Sequence, residues 1–172
     1  MKRLIDFGAM FFLMLFTGVF FGTWLPVVRY VSDLPAAEFI RFMQILINST
    51  AVPMQVIMPI GFVLAAVSVW NSKSRNSRRF YIAIISVVIL FIIIAMSLTL
   101  LLPINFRLIH LTPDTIPDDW ERLRASWKLI HSIRTFLAMI AFAGFSWYIA
   151  GRRVVNQGLS YNQNSTPKSS SF

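Results

Sequence analysis

Long apolar runs separated by short polar clusters dominate this chain. Three of them, Phe7 to Val28, Ala51 to Trp70 and Phe80 to Leu102, are long enough to cross a bilayer as helices, which takes about 20 mostly apolar residues. A fourth, from Ile133 to about Ile149, is shorter and spans if it starts at the membrane interface. The expected fold is therefore all-α: a four-transmembrane-helix bundle over 1–155. Its spans lie at about 7–28, 51–70, 80–102 and 133–151. The Ser-, Asn- and Gln-rich stretch 156–172 is expected to be a disordered tail. The first run follows Lys2 and Arg3 like a signal peptide, but it is too long for one and has no small-residue cleavage site, so a retained anchor is expected.

The polar positions carry a second pattern. In the fourth helix Trp120, Arg124, Trp127, His131 and Arg134 step by three or four residues, which places them in one stripe. Asp118, Asp119 and Glu121 suit a helix start after Pro117, so this helix is expected to begin well outside the hydrocarbon. The second helix behaves alike. Asp33 is a candidate cap ahead of Pro35, and Glu38, Arg41, Gln44 and Asn48 repeat at three or four. Pro53 and Pro59 predict kinks farther along. A shift of 83 positions carries Glu38, Arg41, Gln44 and Asn48 onto Glu121, Arg124, Trp127 and His131. The pattern suggests two repeated helical hairpins related by an axis along the membrane normal. Both stripes would then meet near that axis and form a pocket.

Composition agrees with the pattern: 56% of residues are hydrophobic and 13% charged, where a soluble domain has about a quarter charged. The net charge of +9 changes the picture only by its distribution. Lys2, Arg3, Lys73, Arg75, Arg78, Arg79, Arg152, Arg153 and Lys168 fall on one side of the expected bundle. The other side holds six cations and every acidic residue but Asp6. The excess marks the side of the termini as cytoplasmic, in a multi-pass protein expected in a bacterial inner membrane. Expected partners are membrane lipids, with anionic headgroups near the basic segments, and not nucleic acid. The lack of cysteine excludes disulfides and thiol chemistry.

Few residues can carry chemistry. His131 suits a general acid or base, and Arg134 or Arg124 an oxyanion partner. Equally, His131 can be a satisfied interfacial histidine and the arginines can snorkel to headgroups. Trp120 and Trp127 fit an interfacial aromatic belt or the walls of a pocket for a flat ligand. Asn105 reads as turn chemistry after Pro103, or as a donor into the same pocket. Gly18 and Gly22 form a G-x-x-x-G that permits close helix packing. No phosphate loop, dinucleotide fingerprint or H-E-x-x-H is present, and two histidines, one expected in a loop, give no metal or haem site. No cofactor is expected.

P-I-N at Pro103 to Asn105, followed by P-D-D-W-E-R-L-R-A-S-W-K-L-I-H-S-I-R-T from Pro117 to Thr135, resembles the signature of small four-helix membrane proteins related to fungal anthrone oxygenases. The strong similarity covers Leu102 to Ala143; earlier helices agree in layout through Gly18, Gly22, Glu38, Gln44 and Asn48. The resemblance implies oxidation of a lipid-soluble aromatic by molecular oxygen with neither metal nor flavin. It implies His131 as the base, Arg124, Arg134 and Asn105 around the oxyanion, and Trp120 and Trp127 beside the rings. Gln44, Asn48 and Glu38 are further candidates for substrate contact. The competing expectation is a non-catalytic membrane protein that binds a lipid or a partner helix, its polar stripes pairing off and leaving no cavity. A transporter fits less well, since the hydrocarbon midplane lacks a polar path.

Overall fold

A computed structural model describes residues 2–72, 75–112 and 115–165, with side-chain surroundings through Gly151. The described residues form α1 (Lys2–Tyr30), α2 (Ala36–Trp70), α3 (Arg78–Met96), a π turn (Ser97–Leu101), α4 (Leu102–Ile109) and α5 (Trp120–Ser165), with no strand among them. α3, the π turn and α4 form one rod, so four rods are long and apolar enough to cross a membrane. The backbone of α5 runs past Asn156, where the tail is expected to begin; Lys73 and tail residues 166–172 lie outside the described residues.

Two tight hairpins build the bundle, α1 on α2 and the α3 rod on α5, joined by a seam between α1 and α5. Near the termini, completely buried Ala9, Ala65, Ala83, Ala138 and Ala141 let the rods approach around Leu13, Phe16, Phe145 and Tyr148. Small residues serve this purpose in membranes, where close van der Waals contact replaces the hydrophobic drive. A second core lies toward the loops, around Val31, Phe39, Met43, Leu108 and Trp127.

Several local expectations need correction. Gly18 and Gly22 do not bring helices together: a Cβ at either would meet nothing within 4 Å. Close approach occurs at Gly61, against Phe12, and at Gly144, where a Cβ would fall 2.5 Å from the Ser86 hydroxyl. Asp33 does not cap α2; Pro35 occupies that position with no side-chain bond. Asn105 is not in a turn, because the helix continues past Pro103 to Ile109. Pro103 has no N–H and its ring would strike the carbonyl four residues back. The backbone accommodates this with the π turn, in which the Leu102 N–H donates to the Ser97 carbonyl. Ser97 and Thr99 hydroxyls donate to the carbonyls of Ile93 (2.6 Å) and Ala95 (2.8 Å).

The two hairpins cap one another at the loop end. Arg124 of α5 donates to the carbonyls of Val31 (3.3 Å) and Leu34 (2.9 Å), just past α1. Gln44 of α2 donates to those of Leu108 (3.2 Å) and Leu111 (2.8 Å), where α4 ends. Val31 and Leu111 follow helix ends, where carbonyls lack intrahelical partners, while Leu108 also accepts from the Leu111 N–H. A twofold relation between the hairpins would produce such an exchange.

Candidate active site

Between the two cores lies a cavity of about 380 Å³, within the usual range of about 300–1,000 Å³ for small-molecule sites. α1 contributes Phe20 and Thr23; α2 contributes Thr50, Met54, Gln55 and Met58; α5 contributes Trp127, His131 and Arg134. The rod of α3 and α4 presents Ile94, Ser97, Leu98, Leu101, Leu102 and Asn105. That stripe passes through the π turn, which is why Asn105 shares the cavity with His131.

Three hydrogen bonds align α5 on α1 and the residues just past it, beside the cavity. Trp24 Nε1 donates to Ser132 Oγ at 2.9 Å, Lys128 donates to Ser32, and His131 Nε2 lies 3.1 Å from Thr23 Oγ1. The Thr23 contact orients the imidazole. Thr23 Oγ1 also reaches the carbonyls of Val19 (2.8 Å) and Phe20 (3.1 Å). With the hydroxyl proton on the Val19 carbonyl, the oxygen accepts from Nε2–H and Nδ1 of the neutral ring keeps the lone pair. Trp127 stacks on the imidazole at 4.8 Å and 16°, holding its plane.

Arg134, one turn farther along α5, is 4% exposed. Its guanidinium carbon sits 4.4 Å from the centre of the Phe20 ring, its Nε has no hydrogen-bond partner, and it makes no ion pair with a described acidic residue. A desolvated cation–π contact contributes about 2 kcal/mol, less than the several kcal/mol that burying a charge costs. Asn105 Oδ1 is also buried without a partner. The cavity lining thus carries a base and a cation on α5 and an amide on α4, the last two with unmet bonding capacity.

The remaining candidates lie elsewhere. Arg124 is outside the cavity lining, stacked on Trp120 at 4.5 Å and bonded to the α1–α2 connection. Gln44 is committed to the end of α4, while Glu38 and Asn48 are exposed. Sequence reading missed Thr23, Phe20, Thr50, Ser97 and Gln55 in the lining. Among the described residues no three His, Cys, Asp or Glu side chains gather to hold a metal.

The profile of the anthrone oxygenase family matches residues 42–144, more than half of the chain and most of these walls. The chain belongs to the anthrone oxygenase family. No curated protein and no solved structure matches it. Membership accords with the four membrane-spanning rods, and the matched stretch contains Asn105, Trp127, His131 and Arg134.

Proposed function

We propose that this member of the anthrone oxygenase family is a cofactor-independent oxygenase of a lipid-soluble, quinone-like aromatic. The observation that carries the reading is the pairing of His131 with an unpartnered, buried Arg134 on one cavity wall. Arg134 and the amide N–H₂ of Asn105 donate to the oxyanion of a ring ketone as His131 removes a proton from the activated CH₂ beside it. The enolate passes one electron to oxygen, the radical pair combines into a peroxide, and a proton returns to the outer oxygen. Loss of the second C–H proton then breaks the O–O bond. Carbon becomes a carbonyl, and the other oxygen atom leaves as water. Trp127 and Phe20 hold the ring system. The termini and the basic connection between α2 and α3 lie on the cytoplasmic side by their charge.

The non-catalytic alternative requires the polar stripes to pair off. The outer half of the α5 stripe does so through Arg124. Its inner half, at His131 and Arg134, faces a cavity, which favours chemistry. The test is oxygen uptake by purified protein given an anthrone, compared with His131→Ala. Wild type should exceed the spontaneous rate, and the folded variant should lose about 10²–10⁴ of that excess. Equal rates in the two proteins remove His131 from the mechanism.

A further inference from the structure

The cavity wall is incomplete on one side. α2 meets α3 toward the termini, where the Phe62 and Phe91 rings are 6.3 Å apart, and meets α4 toward the loops through Gln44. Between these contacts it barely touches the π turn. There the cavity reaches the surface: Leu98 and Leu102 line it while 61% and 50% exposed, and exposed Gln55 and Pro59 line it too. All four belong to rods long and apolar enough to span a membrane, so in a bilayer the opening lies between two spans. Irregular backbone is tolerated at membrane depth where it lines a cavity, as the π turn does here.

We propose that this gap is a lateral portal. Through it an apolar weak acid dissolved in the bilayer enters and is held with its ionised oxygen at Arg134. The route favours a largely apolar body, because Leu98, Leu102 and Pro59 make up the mouth beside Gln55. Arg134, nine-tenths buried and unpartnered, requires an anion at the far wall. A permanent anion would not cross the hydrocarbon. The ligand therefore enters neutral and ionises on arrival, its acidic proton passing to His131; for a ring ketone that proton is the CH₂ proton and the ionised oxygen is the enolate oxygen, so His131 is charged once. Carboxylic acids and phenols share this chemistry. The inference rests on reading the cavity as the reactive site.

Trp127 lines the cavity and reports occupancy, because bromine quenches indole fluorescence on contact. The full chain in lipid nanodiscs is titrated with a brominated fatty acid and with a bromonaphthol. The neutral controls are the corresponding alcohol and methyl ether, and Trp127→Phe subtracts the signal of the other tryptophans. At least one acid should bind roughly tenfold or more tightly than its neutral counterpart, and Arg134→Gln should erase the difference. Preference for the fatty acid identifies a lipid carboxylate as the ligand, and preference for the naphthol an aromatic. Equal affinities for acids and neutral controls overturn the class. The chain has no cysteine, so Leu98→Cys, or Leu102→Cys if the first does not fold, can be labelled alone with a bulky maleimide. That label should abolish quenching, and the same label at Ile85→Cys, exposed on α3 away from the cavity, should not. Quenching retained in the labelled portal variant overturns the portal. The readout needs no turnover. Acid preference without oxygen uptake therefore sinks only the oxygenase reading, and uptake without acid preference sinks only this one.

Discussion

A guanidinium buried in a membrane bundle without an acid beside it weakens the fold. Arg134→Met roughly keeps the size of the side chain and removes the charge; even paired buried charges often gain about 1–4 kcal/mol on apolar replacement, and an unpaired one lacks the offsetting attraction. The variant should unfold at higher temperature than wild type in a detergent thermal scan, while oxygen uptake falls by about 10²–10³. A lower unfolding temperature would mean that the charge has a partner in the protein. Thr23 acts at one remove, through the tautomer of His131. Thr23→Val keeps the shape but frees Nε2–H, and kcat should fall roughly 10–100-fold, as losing an orienting partner of a functional histidine does. KM should hardly move, and Thr23→Ser should restore kcat. Nothing in the sequence marks Thr23. It is one threonine in an apolar run, and its partner lies 108 residues away. His131 and Arg134 were legible because ionisable groups at membrane depth are few and their spacing shares one face.

Among the elements, the rod of α3 and α4 shows how a breaker becomes a positioning device. Restoring the missing N–H with Pro103→Ala would let the Thr99 carbonyl accept it and the π turn relax to α-helix. One residue of register in a helix is about 100° of rotation, so Asn105 would leave the cavity wall. Pro103→Ala should lose as much activity as Asn105→Ala, with helical circular dichroism unchanged, and the double variant should lose no more than either alone. The sequence predicted a span ending near Leu102, where the apolar run stops, and a turn after Pro103; neighbouring rods and hydroxyls absorb the break here. The glycines taught the opposite lesson. G-x-x-x-G encodes permission for close approach and names no partner, so Gly18 and Gly22 misled. Gly144→Ala would press against Ser86 and Ile82 and should cost about 1–3 kcal/mol. Gly18→Ala meets open space and should gain up to about 1 kcal/mol from helix propensity. Thermal midpoints of the two variants, measured side by side, check the contrast.

At the scale of the molecule, the four-rod architecture was legible from apolar length alone, but the way its halves engage was not. The sequence repeat aligns Arg124 with Arg41, yet Arg41 is exposed and the reciprocal cap comes from Gln44, one turn on. Periodicity gives a face; which residue of that face reaches across depends on side-chain length and on where the other helix stops. The same ambiguity made Arg124 resemble a catalytic group. Its bonds to the carbonyls of Val31 and Leu34 and its stack on Trp120 are those of a clasp. Arg124→Ala and Gln44→Ala should therefore each cost about 1–3 kcal/mol, the penalty for leaving helix-end carbonyls without donors. The losses should add in the double variant, since each cap serves a different helix end. Neither residue lines the cavity, so oxygen uptake measured well below the unfolding midpoint should stay within a few-fold of wild type. A loss for Arg124→Ala as large as that for Arg134→Met, at equal folded fraction, would mean instead that the loop end closes over the substrate and brings Arg124 to the oxyanion.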